Sequence, residues 1–138
     1  MRLKNTKIKG LKIMQGKNFF DSRGFFREIF IKKKVKVHNP IFWCMSKSKK
    51  NVLRGLHLQT KNSQEKFVSV IKGKILDVVI DLRKKSQTFG KNFQIILSEK
   101  NAKSILIPSG CAHGFLGLDN ENIVVYSNNN YRSKKSEI

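Results

Sequence analysis

Apolar and polar residues alternate along much of the chain, and this period of two predicts short β-strands. The pattern is clearest in residues 66–71 and 75–83, which are rich in Val, Ile and Leu and are separated by a Lys-Gly-Lys turn. By the same criterion, further strands are predicted at residues 1–15, 41–46, 52–59, 93–97, 104–107 and 123–127. No segment has the periodicity of a long amphipathic helix. Strands that recur at roughly ten-residue intervals predict an all-β fold, an antiparallel sandwich or barrel, in a single domain over residues 1–138.

Two short polar sequences predict sharp changes of chain direction. Residues 21–24 (DSRG) lie between two pairs of phenylalanines and predict a hairpin. Residues 108–110 (PSG) predict a turn that delivers His113. The lysine-rich loop that ends at Pro40 is expected to leave His38 at the surface.

The strand predicted over residues 52–59 (VLRGLHLQ) places a cation, a glycine and an imidazole close together in an otherwise apolar run. With a period of two, Arg54 lies on one face, while Gly55 and His57 share the other. A glycine inside a strand permits close approach of another backbone or a ligand, and His57 then faces a cavity. An edge strand with a structural histidine remains the alternative at this point.

The chain carries a net charge of +20, from 29 basic and 9 acidic residues. Such a charge raises the local concentration of anions, which include nucleic acid, anionic lipid and phosphate-bearing small molecules. The lysines are mostly scattered among apolar residues, and no helix-turn-helix, zinc-finger or ribonucleoprotein motif is present. The sequence therefore favours a phosphorylated small ligand, and nucleic acid is not expected as a partner.

Several features of the sequence favour a cytoplasmic protein with no membrane partner. No run of about 18 apolar residues is present that could span a bilayer. Residues 1–15 lack the continuous apolar core of a secretory signal. The two cysteines, Cys44 and Cys111, form no disulfide framework and are expected to be reduced, buried thiols.

A metal site is not expected around His57. Small barrels that bind a metal usually present two histidines one residue apart and a nearby carboxylate, whereas Gln59 occupies that offset and the next acidic residue is Glu65. A nucleophilic hydrolase is also disfavoured, because no serine or cysteine lies in a recognisable nucleophile elbow.

Four side chains would meet if the predicted strands line one cavity: His57, Lys66, His113 and Tyr126. This set suits proton transfer next to a carbonyl. His57 is the natural base at neutral pH, Lys66 would stabilise the enolate oxygen, and Tyr126 would return the proton. Arg23 and Arg54 would hold phosphate through bidentate hydrogen bonds. Taken singly, each group also has a structural explanation, as a solvated strand end, a turn cap or a packing residue.

Four motifs resemble those of the dTDP-4-dehydrorhamnose 3,5-epimerase family, in the same order and over about residues 18–137. They are residues 20–28 (FDSRGFFRE), 52–59 (VLRGLHLQ), 77–83 (DVVIDLR) with 88–90 (TFG), and 107–115 (IPSGCAHGF). The resemblance implies a cupin-type jelly roll that acts as a homodimer without metal or organic cofactor. It implies epimerisation of a nucleotide-linked 4-keto-6-deoxy sugar at C3, C5 or both, in the biosynthesis of rhamnose-like deoxysugars, lipopolysaccharide and other surface polysaccharides.

The resemblance also implies roles for individual residues. His57 corresponds to the proton acceptor and Tyr126 to the proton donor, with Tyr131 as the second choice of donor. The residues implied to line the nucleotide-sugar site are Arg23, Glu28, Arg54, Lys66, His113 and Glu137.

The chain departs from the family pattern in three places. Residues 42–44 (FWC) replace a Gln-x-Asn stretch that contacts substrate, and Asn51 replaces a glycine. The sequence stops at Ile138, whereas the family continues and supplies an aspartate that pairs with the catalytic histidine, together with a substrate lysine. A C-terminally short chain makes a nucleotide-sugar-binding protein with little or no turnover the alternative to an epimerase.

Overall fold

The computed structural model describes residues 2–138, and nearly all of its regular structure is β-strand, as predicted. The strands are β1 (Arg2–Asn5), β2 (Lys12–Gln15), β3 (Phe19–Asp21), β4 (Gly24–Phe26), β5 (Phe42–Ser48), β6 (Leu53–His57), β7 (Lys66–Lys72), β8 (Lys74–Asp81), β9 (Asn92–Ser98), β10 (Lys103–Ile107), β11 (Cys111–Gly117) and β12 (Asn122–Asn128). Within these residues, helix is limited to one 3₁₀ turn, Lys134–Ser136. No helix in residues 2–138 has the length and apolar character needed to cross a membrane.

The strands form two facing antiparallel sheets and a separate hairpin. The six-stranded sheet has the order β1-β2-β10-β7-β12-β5, the four-stranded sheet has the order β6-β11-β8-β9, and β3 pairs only with β4. From β5 to β12, every connection crosses to the other sheet except the β8–β9 hairpin. This alternation is the topology of a jelly roll, so the predicted antiparallel architecture is confirmed.

The alternation of apolar residues places the core between the sheets. Val68, Ile75, Val79, Ile105 and Val124 are all fully buried there. A second cluster, built around Phe67 and Leu106, lies on the outer face of the six-stranded sheet and is covered by residues 29–35. The six-stranded sheet is therefore packed on both faces over part of its width.

Two predictions of local structure were wrong. Residues 1–15 were expected to form one strand, but β1 and β2 pair as a hairpin, and Gly10 in the connecting turn has a φ of +85°, a conformation that favours glycine. His113 was expected at a turn, but it lies inside β11, in register with His57 of β6 and Val79 of β8. The turn at residues 108–110 ends before this strand.

His38 is fully buried rather than exposed, which corrects the prediction for this residue. Its Nδ1 lies 2.7 Å from the Glu65 carboxylate and its Nε2 lies 2.8 Å from the Ser127 hydroxyl. Its ring stacks on Phe67 with a centroid separation of 6.4 Å. The lysine-rich loop therefore packs onto the outer face of the six-stranded sheet. The prediction that His38 is exposed rested only on the lysines of this loop.

Candidate active site

A cavity of about 540 Å³ lies between the two sheets. One wall is formed by β5, β7 and β12 of the six-stranded sheet, and the other by β6 and β11 of the four-stranded sheet. The segment after β12 contributes Arg132 and Glu137. The volume is typical of sites that bind small organic ligands.

The alternation along β5 determines which of its side chains reach the cavity. Phe42, Cys44 and Ser46 line it, while Trp43 and Met45 lie on the opposite face and are exposed. Cys44 was predicted to be a buried thiol, but it is only partly buried and borders the cavity. The alternation of residues 42–46 was visible in the sequence and could have identified these three lining residues.

The register of the six-stranded sheet arranges the lining side chains in rows. Cys44 of β5 is paired with Tyr126 of β12. In the next row, Phe42 is paired with Asn128, and Asn128 is paired with Lys66 of β7. Tyr126 and Lys66, predicted to act together, therefore lie on the same face of neighbouring strands and both line the cavity.

Burial shifts the pKa values of these two groups in opposite directions. It lowers the pKa of the Lys66 ammonium, and the nearby charge of Glu137 only partly opposes this effect. It raises the pKa of the Tyr126 phenol. Tyr126 therefore keeps its proton to higher pH than an exposed tyrosine.

The second wall depends on the close approach of β6 and β11. A Cβ atom on Gly55 would lie 2.6 Å from the carbonyl oxygen of His113 and 2.8 Å from the Cα of Gly114. Gly55 also has a φ of +94°, which side chains rarely adopt. The glycine was predicted to permit close approach of another backbone, and this wall provides that contact, which brings His57 opposite His113.

Arg54 and His57 both line the cavity, although a period of two placed them on opposite faces. The pairing of β6 with β11 shifts register between His113 and Phe115. This irregularity breaks the simple alternation of β6. Arg54 is held in place by its Nε, which donates to the Ser48 hydroxyl at 2.7 Å.

Each cavity histidine lies beside a carboxylate. The Nε2 of His113 is 2.8 Å from Oδ2 of Asp77, which is completely buried. The Nδ1 of His57 is 3.5 Å from Oε1 of Glu137, and the His57 side chain is 54% exposed. A carboxylate beside one ring nitrogen helps to fix the orientation of the imidazole.

Glu137 reaches His57 because residues 136–138 pair with the segment that follows β6. Leu58 and Ile138 exchange two backbone hydrogen bonds of 2.9 Å. Arg132 donates from Nε and Nη2 to Oε2 of Glu137, at 2.9 and 2.7 Å. These bonds hold the pKa of the Glu137 carboxyl below its usual value. Arg132 lines the cavity but carried no sequence signal.

Three residues singled out in the sequence lie away from this cavity. Arg23 is on the β3–β4 hairpin, where it donates to Asp21, and its side chain is 88% exposed. Glu28 is exposed just after the same hairpin. Tyr131 stacks on Phe42 and is itself outside the lining, so Tyr126 is the tyrosine that the cavity contains.

The cavity therefore combines cations with groups that can move protons. Arg54, Lys66 and Arg132 contribute positive charge, against one lining carboxylate, Glu137. An imidazole, an ammonium and a phenol around one volume suit removal and return of a proton in an anionic ligand. Among residues 2–138, no three His, Cys, Asp or Glu side chains are grouped so as to hold a metal ion.

Comparisons with known proteins agree with this chemistry. The sequence model of one family, dTDP-4-dehydrorhamnose 3,5-epimerase, matches residues 5–138. A dTDP-4-dehydrorhamnose 3,5-epimerase of Shigella flexneri is 41% identical to the chain over 143 residues, which cover 99% of this chain and 79% of the relative.

Solved structures of similar proteins superpose closely on the chain. A dTDP-6-deoxy-D-glucose-3,5-epimerase from Legionella pneumophila, in complex with dTDP-4-keto-L-rhamnose, gives a TM-score of 0.94 at 39% identity and covers 99% of this chain and 76% of that one. A dTDP-4-dehydrorhamnose 3,5-epimerase from Bacillus anthracis, with TDP and PPi bound, gives 0.92 at 35% identity, covering 99% and 81%. The chain is shorter than each of these relatives and similar to them over nearly all of its own length.

Proposed function

Since the chain belongs to the dTDP-4-dehydrorhamnose 3,5-epimerase family, we propose that it inverts the carbon centres next to the ketone of a dTDP-linked 4-keto-6-deoxy hexose. Family membership makes it an isomerase of dTDP-rhamnose biosynthesis with a cupin-type jelly roll. The observation that carries the proposal is that His57, Lys66 and Tyr126 all line one cavity.

The first step is removal of a proton from C3 or C5 by His57. The C–H electron pair moves toward the ketone, and the negative charge that develops on O4 is stabilised by the Lys66 ammonium. Glu137, beside the far nitrogen of the ring, stabilises the imidazolium that forms. His57 thus acts as the base, and Glu137 acts through it.

The second step is return of a proton to the same carbon from the other side. His57 is on the four-stranded sheet and Tyr126 on the six-stranded sheet, so the two groups approach a ligand between the sheets from opposite directions. As the enolate collapses, the C=O bond re-forms and the Tyr126 oxygen gives its proton to carbon. The phenolate then regains a proton from solvent, and the His57 imidazolium releases its proton to solvent.

The three cations that line the cavity support a nucleotide diphosphate as the anionic part of the substrate. Arg54 and Arg132 line the cavity together with Lys66, and guanidinium groups bind phosphate in bidentate fashion. The ligands named for the Legionella pneumophila and Bacillus anthracis structures, dTDP-4-keto-L-rhamnose and TDP, have this chemistry.

Deuterium wash-in tests the proposal. Purified protein and dTDP-4-keto-6-deoxyglucose in heavy water should exchange hydrogen at C3, C5 or both, and His57→Asn should slow exchange by about 10²-fold or more. Tyr126→Phe should keep exchange but lose the inverted product, because His57 can return deuterium only to the face it attacked. Lys100→Ala, at an exposed position outside the cavity lining, is the matched control.

Equal exchange in the wild type and His57→Asn would remove His57 from the mechanism. Binding of the nucleotide sugar by the wild type without any exchange would replace the epimerase by a nucleotide-sugar-binding protein.

The active form is proposed to be a homodimer in which the β3–β4 hairpin of one copy serves the cavity of the other. Phe20 and Phe26 of this hairpin are 76% and 66% exposed, which is unusual for large apolar side chains at a free surface. Arg23 and Glu28, implied to line the site, lie on or next to this hairpin. A second copy that receives the hairpin would bring them to a cavity.

A further inference from the structure

Two polar side chains of the cavity wall have no hydrogen-bond partner within residues 2–138. Oδ1 and Nδ2 of Asn128 and Oγ of Ser46 are buried and unbonded. Asn128 is only 1% exposed, and both residues line the cavity. Buried polar atoms without partners reduce the stability of a fold. Their presence here is therefore better explained by binding than by folding.

A second buried asparagine on the same strand shows the contrast. Asn122, at the other end of β12, is fully buried, and its amide is completely bonded. Its Oδ1 accepts from the backbone nitrogens of Lys74 and Asp119, and its Nδ2 donates to the carbonyl oxygens of Ser48 and Asp119. Asn128 differs because it lines the cavity and neither atom of its amide has a partner.

The position of Asn128 places it beside the groups proposed to act at the ketone. It is paired across the sheet with Lys66 and lies two residues from Tyr126, on the same face of β12. An asparagine amide offers a donor and an acceptor together. Phosphate and ketone oxygens only accept, whereas a hydroxyl group both donates and accepts. Beside Lys66 and Tyr126, which are proposed to act at the ketone, a hydroxyl of the hexose is therefore the group that matches both free atoms.

We propose that Asn128, supported by Ser46, binds a hydroxyl group of the hexose and selects for the sugar part of the ligand rather than for the nucleotide. This inference rests on the proposed function and adds to it a residue that recognises the sugar. Asn128 is a binding residue and takes no part in the proton transfers.

The test compares two ligands that differ by the hexose, dTDP-glucose and dTDP, by titration calorimetry. Asn128→Leu removes the polar atoms at nearly constant size. We expect it to weaken dTDP-glucose binding about tenfold, the loss of one to two hydrogen bonds, and to leave dTDP binding unchanged. Ser46→Ala should give the same pattern with a smaller loss.

Thermal unfolding of the ligand-free protein supplies a second readout. Asn128→Leu should raise the Tm, because it removes two unpaired buried atoms, whereas Asn122→Leu should lower it, because it breaks four hydrogen bonds. A fall in Tm for Asn128→Leu as large as that of Asn122→Leu would show that the Asn128 amide is structural and would overturn the proposal.

The binding outcomes separate this inference from the proposed function. If the wild type binds dTDP-glucose and Asn128→Leu binds it equally well, or loses both ligands to the same extent, the sugar-hydroxyl contact is wrong while the proposed function stands. If the wild type binds neither ligand, the proposed function and this inference both fail.

Discussion

The Lys66 ammonium is the cavity cation whose charge responds most directly to its surroundings. Burial lowers its pKa from the ordinary 10.5, so the cation is lost as pH rises through that lowered value, and stabilisation of the enolate is lost with it. Wash-in rates should therefore fall at a pH below 10.5. Lys66→Arg should be about tenfold slower at neutral pH, because a guanidinium does not reproduce the geometry of an ammonium, but its alkaline fall should move to higher pH.

The pH profile of the exchange rate, corrected for exchange without protein, measures this prediction. Lys66→Met should be slow at every pH. An alkaline fall at the same pH in the wild type and Lys66→Arg would show that another group controls it.

Residue chemistry made some members of the site predictable and others not. His57, Lys66 and Tyr126 were identifiable because imidazole, ammonium and phenol in one fold suggest proton transfer. Asn128 was not, because asparagine is common in turns and only its buried, unbonded amide distinguishes it. The position of Arg132 at the cavity could not be predicted either, because it depends on how the segment after β12 folds back, and no local sequence pattern indicates this.

At the scale of elements, His38 joins the lysine-rich loop to two strands that carry site residues. Its ring is hydrogen-bonded to Glu65, the residue that precedes β7 and Lys66, and to Ser127, which follows Tyr126 in β12. His38→Ala should lower the free energy of unfolding by about 3 kcal/mol, since it leaves the buried Ser127 and the partly buried Glu65 without this partner and removes ring packing. The deuterium wash-in rate should fall as well, because the residues next to Lys66 and Tyr126 each lose a hydrogen bond.

Urea unfolding of His38→Ala and of Asn39→Ala measures this effect. Asn39 is exposed and bonds only Lys32 through its side chain, so its substitution should change stability by no more than about 0.5 kcal/mol. A loss below about 1 kcal/mol for His38→Ala would show that the buried network contributes little.

The strands themselves were largely predictable, and their irregularities were not. Alternation identified β7, β8, β10 and β12 within a few residues. The register shift between β6 and β11 could not be predicted because it is a property of two paired strands. This pairing is what brings both Arg54 and His57 to the cavity. The loop containing His38 was misjudged because its lysines outnumber the apolar residues that fix it to the sheet.

At the scale of the whole molecule, mixed dimers test whether the hairpin serves the other copy. Arg23→Ala and His57→Asn should each be inactive as pure proteins. If Arg23 acts on the partner's cavity, a mixed dimer of the two variants contains one intact site. After equal mixing and subunit exchange, about a quarter of wild-type activity should return, since half of the dimers are mixed and each has one of two sites intact.

Epimer formation and the mass of the species in solution are the measurements. No recovered activity in a sample shown to contain mixed dimers would place Arg23 in the cavity of its own chain, and an active Arg23→Ala protein would place it outside catalysis. A monomer that is fully active would contradict the proposed dimer.

The antiparallel all-β architecture followed from the alternation of apolar and polar residues in short strands, and the jelly roll followed from the resemblance of the four motifs to the family. The position of the β3–β4 hairpin relative to the cavity could not be predicted from the sequence. In residues 2–138 this hairpin pairs only with itself, and Phe20 and Phe26 remain exposed.

The division of the proton-handling groups between the two sheets has a consequence for what the protein can accept. Facing sheets are spaced roughly 10 Å apart, and side chains from both occupy much of that gap. The distance between the sheets therefore limits the thickness of the ligand. A pyranose chair with equatorial substituents is thin enough to meet both walls at once, whereas a ring with a bulky axial branch would touch one wall and be held off the other.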